Sequence, residues 1–441
     1  MFNKQTTDKQ LTFFFSFEDT LDRSHPLFIL ATKIQWNIFE DSFGKLYDSN
    51  LGRPCKPIRL MVGLLILKHL RNLSDESVVE QWSENIYYQF FCGKEQFVPT
   101  VPCEASELTH FRKRIGQQGT ELILKESIRI NGKDAEESEV VVDTTVQEKN
   151  ITYPTDSKLH RKIITKCKKI AQTQGLALRQ SYTRTLKKLS VDQRFRNHPR
   201  NHKKARKADK KVKTIAGRLL RELDRKLPAD HWSRNDLALY QKVVDQKKSD
   251  ANKIYSLHEP EVQCIAKGKE HKKYEFGNKV SITSTKNTGV IVGAMSFRNP
   301  YDGHTLDSVL NQCESLTGVR ATAAICDRGF KGCKQVGTTI IQIPDTCDRK
   351  KQSKYRKRKL RKDFRRRAAI EPVIGHLKSD HRLGRNFLKG IVGDEVNVLL
   401  ASAAFNFKRM LNKWKHLSNI FVRNLIDNIQ RLFFDYRSKV A

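Results

Sequence analysis

The sequence predicts a mixed α/β protein: a helical N-terminal region, a core of strands alternating with helices, and a basic helical insertion. Three observations predict it. Leu60, Leu64, Leu67 and Leu70 recur at helical spacing within the first 130 residues or so. Glu139-Val-Val-Val-Asp143 sets three consecutive valines before an acid, the pattern of a strand buried on both faces. Between Lys158 and Leu227, 24 Lys and Arg stand against 4 acids, yet Ile215, Leu219 and Leu223 keep helical spacing.

Taken in order, Ile58–Leu73 is the clearest helix. Pro57 sits at its start, where a missing N–H does no harm. Asn72-Leu73-Ser74-Asp75 stops it, and Ser74–Phe91 begins the next, with Ser74 as cap and Asp75-Glu76 in the first turn. A third helix covers Glu104–Gln117 and carries His110, Arg112, Lys113 and Arg114. The strand Glu139–Val146 follows. The basic stretch is broken at Asn197–Asn201 into at least two helices that offer a positive surface to a phosphate backbone. Strand signals return at Val262–Ala266, Tyr274–Thr283 and Val290–Phe297, with a turn at Thr285–Gly289. Thr305–Ser315 reads as a helix. Ala321–Cys326 is a short apolar strand that ends at Asp327, with Arg328-Gly329-Phe330 as its exit. Lys350–Arg367 is a second dense cationic run, and Glu395–Trp414 is an amphipathic helix.

The chain of 441 residues is 38% hydrophobic and 9% aromatic, enough for two or three domains with real cores. Its net charge of +35 is a statement about partners, and the partner it calls for is a polyanion, nucleic acid before an anionic membrane surface. No apolar run reaches the roughly 18 to 20 residues needed to span a bilayer, and the first residues lack the pattern of a signal peptide. Nine cysteines without framework spacing predict reduced thiols in a cytoplasm. Pro199 between His198 and His202, with no third ligand nearby, leaves zinc without a site there.

The chemistry is carried by acids among cations. In Phe364-x2-Arg367-x3-Glu371-x6-Lys378 the four side chains fall within about 60° on one face of a continuous helix. Pro372 threatens that continuity, and a break there moves Arg367 off the common face. Asp143 lies on the valine strand, where a charge is costly unless paired or bound to metal. Asp327 ends a strand at a carboxyl edge, where open α/β sheets place their sites. Metal-assisted phosphoryl transfer needs such converging carboxylates, and Mg²⁺ accepts few of them. Arg328, Arg367 and Lys378 are candidate phosphate contacts. His304 is an accessory candidate for orienting a phosphate.

These residues resemble the DDE transposases of bacterial insertion sequences, specifically the insertion-sequence-five group with its Y-x2-R-x3-E-x6-K motif. Tyr255–Glu261, Tyr274–Gly277, Tyr301–Leu306, Leu388–Gly390, Gly393-Asp394 and Asn397 look like that group as well. The resemblance implies a ribonuclease-H-like core, a mixed sheet flanked by helices, at residues 133–157 and 251–415. A helical domain with possible DNA binding precedes it at 1–132, the basic insertion spans 158–250, and a helical tail covers 416–441. It implies Asp143, Asp327 and Glu371 as ligands of two Mg²⁺ or Mn²⁺ ions. It also implies a homodimer that binds terminal inverted repeats and target DNA in a bacterial cytoplasm, close to the nucleoid. The implied reaction is metal-dependent strand cleavage followed by strand transfer. Phe364 stands where the motif has tyrosine, which removes a hydroxyl and keeps the ring. Two other readings stay open: a nuclease that cuts without joining, and a relative that binds DNA without chemistry.

Overall fold

The computed structural model describes residues 16–48, 52–247, 249–266, 272–343 and 353–440, with the side chains of 354, 356, 357, 359, 360, 363 and 417–440 excepted. The chain divides into two compact units, Met1–Glu148 with Asn278–Ala441, and Lys149–Gly277.

The first unit holds most of a mixed sheet. Its strands are β1 (Glu139–Lys149), β2 (Gln263–Ala266), β3 (Tyr274–Thr285), β4 (Ile291–Phe297), β5 (Ala323–Ile325), β6 (Gln335–Val336), β7 (Thr339–Gln342) and β8 (Arg385–Asn386). They are ordered β2-β3-β1-β5-β7-β6, with β4 also on β3 and β8 on β1. β1 is central, and Val140, Val141 and Val142 are all buried. β5 runs parallel to β1, and β7 parallel to β5, whereas β3 and β4 form an antiparallel hairpin. The turn between them takes Gly289 at φ +70°, a conformation with little cost only for glycine. This is the mixed sheet flanked by helices that the resemblance implied.

Helices flank the sheet. Ile58–Leu70 is buried along nearly its whole length, Lys68 and His69 included, so it is a core helix rather than a surface one. Ser74 Oγ caps the next helix by accepting from the Ser77 N–H at 3.0 Å, as its sequence predicts. The helix that begins after Glu104 does not stop at Gln117. Gly116, at φ +57° and ψ −156°, interrupts it, and the helical path resumes to Asn131. The long helix Gly390–Val440 packs on Ala105–Asn131, Ile58–Leu70 and β4. Polar side chains tie it in place. The Asn406 amide accepts from the Ile291 N–H at 2.9 Å and donates to the Ile291 carbonyl at 2.8 Å, completing the hydrogen bonding at the head of β4. Asn397 donates to Gln147 on β1, and Asp394 accepts from Asn278 and Asn386. Asp394 and Asn397, noticed in the sequence as motif residues, are therefore structural ties. Among the described residues no helix is long and apolar enough to cross a membrane.

The second unit has its own core, built from Asp156–Thr173, Thr183–Asp192, Pro199–Lys226 and Arg234–Asp245. In Pro199–Lys226 the side chains of Ala208, Val212, Ile215, Leu219 and Leu223 turn inward, while Lys203, Lys207, Lys210, Lys211 and Arg218 face outward. His198 starts this helix, its ring Nδ1 accepting from the Arg200 N–H at 3.3 Å. A buried ion pair, Lys149 to Glu259 at 3.4 Å, ties the first residue of the unit to the segment that follows its helices.

Candidate active site

Strand register brings the first two acids together. Val141 lies beside Ile325 in the parallel β1–β5 pair. Two residues further along both chains come Asp143 and Asp327. Neighbouring strands are about 4.8 Å apart, so the two carboxylates sit side by side. Both bear on the buried thiol of Cys326, whose pKa is raised by burial first and then by Asp327 and Asp143. The Asp143 carboxylate accepts from the Thr144 N–H at 2.7 Å. Asp327 accepts from the Gly329 N–H at 2.8 Å and so caps the short turn Arg328–Phe330. That bond fixes the carboxylate at the carboxyl edge of the sheet.

The third acid arrives by a different route. The continuous helix expected through Phe364, Arg367, Glu371 and Lys378 is two helices, Lys354–Arg367 and Ile370–Asp380. Pro372 accounts for the division. It has no N–H for the carbonyl of Ala368, and it is tolerated as the third residue of a new helix, where N–H groups lack helical partners anyway. The junction is tight: Ala368 and Ala369 donate to carbonyls three residues back, at 3.2 and 3.0 Å. Arg367 and Glu371 therefore stay close. The Arg367 guanidinium lies 3.7 Å from Asp143 and 3.5 Å from Glu371, bridging the two acids. Glu371 itself is 66% exposed, an arm rather than a fixed ligand.

The remaining candidates are placed as follows. Phe364 packs its ring against the core of the first unit, which needs no hydroxyl. Lys378 is half-buried two turns beyond Glu371. Arg328 is exposed beside Asp327. His304 is exposed, edge-on to Tyr301, in a turn packed against Arg328–Phe330. The Tyr301 hydroxyl donates to the Lys331 carbonyl at 2.8 Å and clasps the two turns. Part of the cationic run Lys350–Arg367, the segment Lys350–Gln352, lies outside the described residues.

One acid escaped the sequence. A side chain added at Gly329 would meet Asp302 Oδ2 at 2.8 Å and Asp327 Oδ1 at 2.9 Å, so Asp302 faces Asp327 across that glycine. Asp302 is paired with Lys279 at 2.8 Å. Its position in Tyr301–Leu306 was visible, but only the histidine of that run stood out, because an acid after a strand reads as a turn former.

The donor chemistry fits a hard divalent cation, since carboxylate oxygens suit Mg²⁺ or Mn²⁺. Asp143 and Asp327 converge. Glu371 does not yet join them, and among the described residues no three acidic, thiol or imidazole side chains are grouped tightly enough to hold an ion. Arg367 stands between the strand acids and the third.

Comparison with known proteins decides the family. An uncharacterised protein of Rhizobium meliloti, ORF8 in the nfe locus, is 47% identical over 193 residues, which is 93% of that protein and 42% of this chain. Residues 15–114 match the family described as transposase domain (DUF772), and residues 324–411 match the transposase DDE domain. The chain belongs to the DDE transposase family. This transposase thus joins the helical DUF772 region to a DDE domain whose chemistry is phosphoryl transfer on DNA, a family that generally uses divalent metal. The DDE match includes Asp327, Arg367, Glu371 and Lys378, while Asp143 lies before it. No solved structure matches the chain significantly.

Proposed function

We propose that this transposase binds the terminal inverted repeats of its own insertion sequence and carries out strand cleavage and strand transfer at Asp143, Asp327 and Glu371. What supports the reading is the parallel register of β1 and β5, which sets Asp143, within β1, beside Asp327, just past the end of β5, with Arg367 leading from Asp143 to Glu371. The insertion-sequence-five assignment rests on the motif spacing. A pair of copies holding two DNA ends suits the reaction, which acts on both ends of an element.

Asp143, Asp327 and Glu371 are the residues that would hold two Mg²⁺ or Mn²⁺ ions. When bound, such ions neutralise the charge that develops on the attacking and leaving oxygens. The chain's own contribution is positional. Two strand backbones fix Asp143 and Asp327, and the Gly329 N–H keeps Asp327 from rotating. Arg367 is the natural carrier for a scissile phosphate: its planar fork bonds phosphate oxygens bidentately. Once it turns to phosphate, Glu371 loses its tether to that guanidinium and is able to swing toward the two strand acids. Arg328 and Lys378 contact neighbouring phosphates.

The test uses a duplex ending in the element's inverted repeat, with Mg²⁺ or Mn²⁺. Asp143→Ala, Asp327→Ala and Glu371→Ala each abolish strand cleavage while DNA binding persists. Wild-type cleavage by any of the three refutes the assignment. Pre-cut ends with a 3′-hydroxyl are joined to a target duplex by the transposase; cutting without joining marks a nuclease instead.

A further inference from the structure

A second cationic pocket lies by the start of β1, four residues before Asp143. The β3–β4 turn, Lys286–Gly289, helix Ile370–Asp380 and helix Gly390–Val440 enclose a cavity of about 220 Å³. Two arginines line it, and neither has a carboxylate partner among the described residues. Arg366 donates to the backbone carbonyls of Lys286 at 3.3 Å and Asn287 at 2.7 Å, which aims its guanidinium without neutralising it. Arg409 reaches Gly289 from the other side, 4.0 Å from where a side chain there would begin, and its Nε–H is buried with no acceptor.

The nearby acids are engaged elsewhere. Glu139 pairs with Lys286 at 2.5 Å, Asp134 with Lys413 at 2.7 Å, and Asp380 with Lys408 at 3.1 Å. Glu137 accepts from the Asn287 and Thr288 N–H groups at 2.8 and 2.7 Å. What the cavity lacks is a negative charge to match its two guanidinium groups. The first turn of helix Ile370–Asp380 forms part of its wall, and a helix start adds partial positive charge.

We infer that Arg366 and Arg409 form a seat for one DNA backbone phosphate, distinct from the cutting site. The seat opens onto a wider cationic groove of about 1060 Å³ lined by Arg358, Arg361, Lys362 and Arg365, with Lys286 and Arg366 common to both. A lone phosphate has no use for that groove, whereas a polyanion does. Lys286 bonds to Glu139 at the start of β1, and Asp143 lies four residues further along, roughly 13 Å at about 3.3 Å per residue. The seated phosphate is therefore well within one duplex turn, about 34 Å, of the reacting one. This assignment rests on the transposase reading for the identity of its polyanion, but not on the carboxylates.

The experiment measures binding of a fluorescent mixed-sequence duplex against salt concentration. Arg366→Gln with Arg409→Gln lowers the slope of log affinity on log salt by about 0.9, the value for one phosphate contact. A wild-type slope in the folded double variant overturns the seat. The wild-type protein provides a second arm that needs no variant. Arginine-selective labelling read by mass spectrometry falls at Arg366 and Arg409 when duplex is added. Undiminished labelling at either residue overturns the proposal, as does equal protection by inorganic phosphate at matched ionic strength. Failure of the cutting site shows differently: Asp143→Ala leaves the salt slope unchanged whether or not it cleaves.

Discussion

Two ionic clusters in the first unit use the same residue types in opposite ways. Asp75 is held between Lys68 at 2.8 Å and Arg112 at 2.7 Å, all three largely buried. Arg367 is held between Asp143 at 3.7 Å and Glu371 at 3.5 Å, with Glu371 in solvent. The first cluster is one acid shared by two cations; the second is one cation shared by two acids. Short, buried contacts with bidentate geometry leave nothing over for a ligand. Long contacts at a sheet edge are readily exchanged for a phosphate or a metal ion. Tightness of pairing thus separates an ionic group that holds the fold from one that serves the reaction.

The largest effect expected is at the loose cluster. Asp143→Ala or Asp327→Ala should lower the cleavage rate by roughly 10³-fold or more, corresponding to the loss of several kcal/mol of transition-state stabilisation. The thermal midpoint should move little. A large drop in midpoint with cleavage retained per folded molecule would show that these acids hold the fold instead.

Next comes the tight cluster. Asp75→Ala leaves Lys68 and Arg112 buried without a counter-charge and should cost about 3–5 kcal/mol in urea unfolding. Arg367→Ala should cost no more than about 1 kcal/mol in the same measurement and still impair cleavage. Equal costs would erase the distinction between the clusters.

The acid limb of stability should report the buried groups. His69 has its pKa lowered from 6.5 to about 3, by burial first and then by Lys68. The unfolded chain then binds a proton that the folded one refuses, so this contribution is full above pH 6.5 and is lost as pH falls toward 3. Asp75, where burial opposes but the bonds to Arg112 and Lys68 prevail, is lowered from 3.8 to about 2, so its contribution is lost between those values. Lys68 is lowered from 10.5 to about 8 by burial, then Arg112, so stability gains as pH rises across that interval. Urea midpoints for His69→Gln should be flatter between pH 6.5 and 3 than those of the parent, and an unchanged limb would exclude His69 as its source.

The smallest effect sharpens the site itself. Gly329→Ala places a methyl 2.8 Å from Asp302 and 2.9 Å from Asp327. We expect roughly tenfold slower cleavage, equivalent to about 1.4 kcal/mol, from displacement of the Asp327 carboxylate. DNA binding should be unaltered, and an unchanged rate would mean that the turn absorbs the methyl.

Much of this was legible before any coordinates. Val140–Val142 announced a doubly buried strand, and the acid two residues beyond Ile325 was recognisable as a strand end. Pro57, Ser74 and Gly289 marked boundaries that the structure keeps, because caps and positive-φ turns are local chemistry. Pro372 was seen as a threat to the helix, yet its result was not: the break falls at Ala368–Ala369 and leaves Arg367 beside Glu371. The short strands β6, β7 and β8 carried too few residues for a periodic signal. Asp302, Arg366 and Arg409 were invisible as site residues, since each is one charge among many until a distant turn or helix is set against it.

The amino-acid order alone determined the charge that demands a polyanion, the residue types able to bind hard cations, and the strand and helix periods, all properties of short segments. Only the tertiary structure decided which acids meet. Asp143 and Asp327 are 184 residues apart in the chain (327 − 143), and they become neighbours because β5 adds to β1 in parallel register. The physical reason is that register follows from burying both faces of β1 and β5 in the core, an energy summed over many residues rather than encoded in the two acids.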